Sequence, residues 1–333
     1  MTPLTRRRFL GGAGVAATAL SGCLGQATTV PATGSGRSTV QSSFFVVYDF
    51  ASQVADGVAA VESLVPLGQH GHGWEPGPGI NRDAFGADAF VYVGEGFQPW
   101  ADRVVGNIAE DGAEVAVVEA WADVDLLEIG EHHGDDDDHD DDDHDDEGHG
   151  DHGHGAMDPH FWLDPRRAAQ SVETIAHGLS GVDPPNADAY TRNAESYVER
   201  LRALDETYRT RLADRTNGTV LVAGHDSFQY LARRYGFDVE ALVGISPDAA
   251  PTPADVARAQ AVVEEHDVEY VLTPVFESDR AARQLVAETD ATGVLPLTPV
   301  PGITGDWHEA GWGFVEVMER VNLPSLERAL GAV

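Results

Sequence analysis

The sequence predicts an α/β protein of two lobes, each with a mainly parallel sheet flanked by helices, joined by one long rigid linker helix. In both halves of the chain, short apolar, β-branched segments alternate with helical segments. This alternation is typical of parallel sheets covered by helices on both faces. Between the halves, apolar residues recur at the spacing of a single amphipathic helix.

The N-terminal half carries the first of these alternating series. We predict strands at 44–48, 64–66, 89–93 and 114–118, with helices at 51–63 and 100–110. The C-terminal half repeats the pattern, with strands at 219–223, 270–273 and 294–297 and helices at 227–235 and 253–265. We therefore expect an N-terminal lobe over 44–180 and a C-terminal lobe over 217–333.

The linker helix is predicted over 186–215, within a connecting region at 181–216. Apolar side chains from Tyr190 to Leu212 are spaced three and four residues apart, and the helix breaker Asp183-Pro184-Pro185 precedes them. A continuous helix of this length makes a stiff connector.

The N-terminal segment predicts export. Arginines at 6–8 precede a short apolar stretch and then Leu20-Ser21-Gly22-Cys23, so residues 1–22 have the pattern of a twin-arginine export signal. The chain has a single cysteine, at the position where a lipoprotein is acylated. We expect Cys23 to be the lipid anchor, residues 23–43 to be a flexible tether, and the mature protein to be a cell-surface lipoprotein held to the membrane by lipid alone.

The charge of the chain excludes one class of partner. The net charge is −35, with 56 acidic residues and 21 basic residues, all of them arginine. Repulsion from phosphate opposes binding to nucleic acid or to an anionic membrane surface. A lysine-free acidic surface is typical of proteins from salt-loving organisms, and it also favours cationic partners.

Residues 131–155 interrupt the α/β pattern. They contain 13 acidic residues and seven of the chain's 14 histidines. Such a segment cannot bury a core, so we expect a solvated loop. An inert acidic insertion does not need histidine, and imidazole binds zinc, nickel and copper. We therefore expect this loop to capture metal weakly.

Three further histidines lie near predicted sheet ends: His72, His160 and His225. Ligands of open α/β sheets bind beyond the carboxyl ends of the strands. Three neutral imidazoles with a carboxylate or a water suit tetrahedral zinc. His70 is the alternative to His72, because both histidines follow the strand predicted at 64–66.

At these histidines the chain resembles the cluster A-I metal-specific solute-binding proteins of ABC transporters, especially their zinc-binding, ZnuA-like members. The resemblance rests on three segments in the family's order: His72-Gly73-Trp74-Glu75-Pro76, Asp158-Pro159-His160-Phe161-Trp162-Leu163-Asp164-Pro165, and His225-Asp226-Ser227-Phe228 with Tyr230-Leu231 and Tyr235-Gly236. It covers residues 44–330, and the His-rich loop also lies where zinc-binding members carry one.

The resemblance implies that His72, His160 and His225 bind Zn2+ as the transported ligand, that the receptor is a monomer, and that its partner is an ABC permease. The fourth ligand stays open because the chain has Leu297-Thr298-Pro299 where many members have an aspartate. The candidates are Glu277, a water, Asp306 and His308. A receptor for manganese or another divalent metal is the alternative, although a third histidine favours zinc.

Two other classes of function need the same residues. A secreted zinc hydrolase would require Glu75, Asp226 or Glu277 as a general base. The sequence has no His-Glu-x-x-His pair, no Gly-x-Ser-x-Gly segment and no phosphate-binding loop, so we expect a binding protein and not an enzyme. A surface adhesin or zinc store on the same fold cannot be separated from a receptor by sequence.

Overall fold

Two parallel sheets form the frame of the protein. The structure is a computed structural model and describes residues 37–66, 68–69, 74–129, 157–246 and 249–332. Within these residues, the first sheet has the strand order β2-β1-β3-β4 and the second has the order β6-β5-β7-β8. The strands are β1 Thr39–Ser42, β2 Ala60–Ser63, β3 Ala89–Tyr92, β4 Ala116–Glu119, β5 Thr219–His225, β6 Asp238–Val243, β7 Tyr270–Pro274 and β8 Gly293–Leu297.

Helices cover both faces of each sheet. They are α1 Phe45–Val54, α2 Ile80–Phe85, α3 Pro99–Asp111, α4 Pro165–Val182, α5 Ala187–Arg211, α6 Gln229–Tyr235, α7 Pro253–Glu265, α8 Arg280–Glu288, α9 Gly305–Glu309, α10 Phe314–Val317 and α11 Leu323–Ala329. Short 3-10 turns lie at Phe161–Leu163 and Pro184–Asn186, and a π-helical turn lies at Met318–Asn322. In the part of the chain described, no helix is both long and apolar enough to cross a membrane.

Helix α5 is the predicted linker helix. It has 25 residues, and its buried side chains follow the three- and four-residue spacing seen in the sequence. The Pro184–Asn186 turn precedes it, as the breaker residues predicted. The predicted fold class is confirmed: two parallel sheets flanked by helices are joined through one long helix.

One hydrophobic core runs through both halves. The largest cluster of buried side chains combines Val91 of β3, Val222 of β5 and Leu272 of β7 with residues of α1, α4 and α5. Separate clusters cover the outer faces, one with α3 against the first sheet and one with α7 and α8 against the second. Because a core is shared, the division at 44–180, 181–216 and 217–333 stays a prediction.

The start of the fold differs from the prediction. The strand expected at 44–48 is wrong, because these residues begin α1, and the first strand is Thr39–Ser42 inside the predicted tether. Residues 39–43 therefore belong to the fold, contrary to the tether predicted over 23–43. The helix expected at 51–63 and the strand expected at 64–66 are likewise replaced by the end of α1, a turn and β2. Helix α1 buries Val46, Val47 and Phe50. Its first residues belong to an uninterrupted apolar run, and so short a run cannot be told from a buried strand by periodicity.

Candidate metal centre

His160 is held by a carboxylate two residues before it. The Asp158 Oδ1 atom accepts hydrogen bonds from the His160 backbone N–H at 2.9 Å and from its ring Nδ1–H at 2.8 Å. Neither residue is more than 2% exposed. The bond to Nδ1 fixes the tautomer and leaves Nε2 as the ring nitrogen with metal-binding chemistry.

His225 has the same arrangement on the second sheet. It is the last residue of β5, and its Nδ1–H donates to Glu277 Oε1 at 2.7 Å. Glu277 follows β7, the strand beside β5 in the sheet, so parallel pairing brings both residues to one sheet edge. Both histidines thus present Nε2 and hold Nδ1 against a carboxylate, which is the usual outer support of a metal-binding imidazole.

The two rings lie next to each other. Their centroids are 5.5 Å apart with an interplanar angle of 47°. Trp162 packs edge-on against His160, with centroids 5.5 Å apart, and its Nε1–H donates to the Pro299 carbonyl oxygen at 2.8 Å. Residues that are distant in sequence therefore converge on one point, and a ligand of both rings would be shared by both halves of the chain.

His72 and His70 lie outside the described residues, but the chain on either side of them is described. Gln69 and Trp74 line the same cleft as Gly224 and Glu277. Gly302 keeps the Gln69 carbonyl close, because a β-carbon at residue 302 would lie only 2.7 Å from that oxygen. This close approach requires a glycine.

The remaining candidates for the fourth ligand lie elsewhere or have another partner. Asp306 and His308 are exposed on α9, and His308 lines a different cleft, with Tyr48 and Asp49. Glu277 accepts the hydrogen bond from His225. Within the described residues, no group of three or more His, Cys, Asp or Glu side chains is arranged to hold a metal, so the described part of the site consists of two histidines and their carboxylates.

Thr298 is part of a buried turn. Its N–H donates to Asn322 Oδ1 at 2.9 Å, and its carbonyl accepts from Asn322 Nδ2 at 2.8 Å. Its hydroxyl oxygen accepts from the Val300 N–H at 3.0 Å. Val300 has φ of 57° and is fully buried, a strained conformation for a β-branched residue. Thr298 therefore stabilises the turn that presents the Pro299 carbonyl to Trp162.

An ion-pair network joins helices α4, α5 and α6 next to the segment that carries His160. Arg234 of α6 donates to both carboxylate oxygens of Asp205, at 2.8 and 2.6 Å, and Arg166 of α4 donates to Oδ2 at 3.1 Å. Burial opposes ionisation of Asp205, but these arginines prevail and hold the pKa of its carboxyl below the usual value. Arg234 also lies 3.7 Å from Asp164, which caps α4 directly after the His160 segment.

The sequence alone does not show which carboxylate bonds which histidine. Asp158 lies two residues before His160, and this Asp-Pro-His spacing is the signal for its role, because an aspartate accepts readily from the backbone N–H two residues on. Glu277 is one of the candidates for the fourth ligand, and the structure adds its hydrogen bond with His225. No signal in the sequence points to the Asp205 network, whose members come from three separate helices.

The chain is similar to known proteins in sequence and in fold. The sequence model of the ZnuA family, zinc-uptake complex component A, periplasmic, matches residues 40–329. The high-affinity zinc uptake system protein ZnuA of Bacillus subtilis is 32% identical over 291 residues, which cover 87% of each chain.

A second relative is longer than this chain. The zinc-binding lipoprotein AdcA of Streptococcus pneumoniae is 32% identical over 293 residues, which make up 88% of this chain but 56% of AdcA. The chain thus spans little more than half of that relative. The crystal structure of the Zn(II)-bound ZnuA-like domain of the same AdcA aligns with a TM-score of 0.71 at 29% identity, covering 89% of this chain and 99% of that domain. From the family match, the relatives and the fold together, this chain belongs to the ZnuA family.

Proposed function

We propose that this protein is an extracytoplasmic receptor that captures Zn2+ and delivers it to an ABC permease for uptake. The observation that carries the proposal is the convergence of His160 and His225, each with Nδ1 bonded to a carboxylate. The names of its relatives support zinc as the cargo. Nitrogen-rich ligand sets favour zinc over manganese, which prefers oxygen.

The proposed ligands are Nε2 of His160, Nε2 of His225 and the imidazole of His72. The fourth position is taken by Glu277 or by a water. Glu277 accepts from Nδ1 of His225, on the side of the ring away from Nε2, so it would have to release this hydrogen bond to become the fourth ligand itself. If a water is the fourth ligand, Glu277 orients His225 alone.

Calorimetry of the purified protein with Zn2+ tests this site. We expect one tight site that is lost in His160→Ala and in His72→Ala. His177→Ala is the matched control, because His177 is an exposed residue of α4. Unchanged tight binding in His160→Ala would overturn the proposal. Elemental analysis of protein purified without added metal identifies the cargo, and manganese in place of zinc would favour the alternative receptor.

The protein carries out no reaction in this proposal. Asp158 and Glu277 are engaged with imidazole nitrogens, which is the role of orienting carboxylates and not of a general base. Hydrolysis of esters or peptides by the zinc-loaded protein, abolished by His160→Ala, would instead support the hydrolase.

Export by the twin-arginine signal, acylation of Cys23 and a monomeric state are further parts of the proposal. Cys23 lies outside the described residues. Mass spectrometry of the membrane-bound protein should find lipid on Cys23, and Cys23→Ser should release the protein from the membrane. Light scattering of the soluble body should give the mass of one chain.

A further inference from the structure

The hydroxyl of Tyr230 links two separate backbone segments beside the candidate site. Tyr230 is 1% exposed. Its O–H donates to the Asp158 carbonyl oxygen at 2.7 Å and accepts from the Leu127 N–H at 2.8 Å. Burial raises the pKa of Tyr230 well above its usual value, so the hydroxyl keeps the proton that it donates.

Asp158 is the residue whose carboxylate holds His160. Its own N–H donates to the Leu127 carbonyl at 2.8 Å, and Glu128 and Met157 form an antiparallel bridge beside it. The Tyr230 hydroxyl bonds the other two polar groups of this pair, the Leu127 N–H and the Asp158 carbonyl. Since Asp158 makes two hydrogen bonds to His160, a shift of its backbone would move the His160 ring.

Tyr230 reaches this point from the His225 side of the protein. It lies in the first turn of α6, which follows His225 and β5. Arg234 of the same helix bonds Asp205 and lies near Asp164, so α6 contacts both ends of the segment 158–164. The guanidinium of Arg167 packs over the Tyr230 ring, 5.2 Å from its centroid.

We propose that Tyr230 is a positioning residue that sets the distance between His160 and His225 and thereby tunes metal affinity. The inference rests on the proposed metal site. Without the hydroxyl, the half-buried Leu127 N–H and one lone pair of the Asp158 carbonyl lose their partner, and the segment carrying His160 loses its hydrogen bond to Tyr230 of α6. Groups that orient metal ligands in this way typically change affinity by about 10- to 100-fold.

The test is Tyr230→Phe, which keeps the ring beneath Arg167 and removes the hydroxyl alone. The matched control is Tyr208→Phe: Tyr208 is also fully buried and donates to a backbone carbonyl, that of Met318, at 2.7 Å. Three measurements apply to each variant: Zn2+ affinity by chelator competition, the visible spectrum of the Co2+-loaded protein, and thermal unfolding without metal.

We expect Tyr230→Phe to lose about tenfold or more in Zn2+ affinity and to change the Co2+ spectrum. Tyr208→Phe should lower thermal stability while leaving affinity and spectrum unchanged. The inference is overturned if Tyr230→Phe binds like the wild type with the same spectrum, or if both variants lose affinity equally. Failure of the wild type to bind Zn2+ would instead refute the proposed function, so the two failures are distinguishable.

Discussion

The carboxylate of Glu277 lies close to the place that a β-carbon of Gly224 would occupy. A β-carbon at residue 224 would lie 2.9 Å from Glu277 Oε2 and 2.4 Å from Pro274 Cγ. Glycine at this position is therefore what allows Glu277 to approach His225, the next residue along β5. The backbone of β5 therefore helps to position the carboxylate that orients His225.

Gly224→Ala is expected to displace Glu277 or the Pro274 turn and to lower Zn2+ affinity by about tenfold, because His225 loses its orienting carboxylate. Competition titration measures this loss. Gly218→Ala is the control: it precedes the same strand, and a β-carbon there meets no atom within 4 Å. Equal affinities in the two variants would show that the approach of Glu277 to His225 does not matter.

Glu277→Gln keeps a hydrogen-bond acceptor for His225 and removes the negative charge. We expect Zn2+ affinity to fall about tenfold with little change in thermal unfolding of the metal-free protein. Glu288→Gln makes the same charge change at the same cleft, where Glu288 bonds Gln260 at 2.9 Å, and should bind as the wild type does. A similar loss in both variants would mean that cleft charge, and not the contact with His225, governs affinity.

Asp205→Asn is expected to lower the free energy of unfolding at pH 7 by about 2 kcal/mol, because it weakens the charged hydrogen bonds that Arg234 and Arg166 donate to this buried carboxylate. The folded-state pKa of Asp205 is lowered, so its contribution is present above the unfolded pKa of about 3.9 and is lost as pH falls through the folded value. Urea unfolding should therefore show the deficit shrinking below about pH 4.

Asp279→Asn is the control for this network. Asp279 forms an ion pair with Arg283 at an exposed site of α8, and such pairs contribute little to stability. A deficit of Asp205→Asn that stayed constant down to pH 2 would contradict the assignment of its charge as the stabilising feature.

Replacing residues 131–155 with a short Gly-Ser linker should remove weak zinc sites and leave the tight site. The bridge between Glu128 and Met157 holds the ends of this segment together, so a short linker can join them. Calorimetric stoichiometry measures the change. A matched variant converts the seven histidines of the segment to asparagine while keeping its acidic residues. Loss of the tight site in either variant would mean that the segment supplies a ligand of that site.

Much of the C-terminal half could be predicted because its signals are local. Helix α7 begins and ends as predicted at Pro253–Glu265, since Thr252 and Asp255 form a capping box around its first turn. Strand β7 at Tyr270–Pro274 and strand β8 at Gly293–Leu297 also lie where the apolar, β-branched runs indicated. The strand predicted at 44–48 was wrong because Phe44 to Tyr48 form an uninterrupted apolar run, and so short a run has no periodicity that separates a helix such as α1 from a buried strand.

The sequence alone determined the class of fold, the linker helix and the histidines worth testing, because periodicity, capping residues and short segments such as Asp158-Pro159-His160 act over a few neighbouring residues. Only the tertiary structure decided which carboxylate contacts which imidazole. Glu277 meets His225 because β5 and β7 are adjacent in the sheet, and Tyr230 meets Asp158 because α6 packs against a segment from the other half of the chain. Such contacts depend on strand order and helix packing, which no local pattern records.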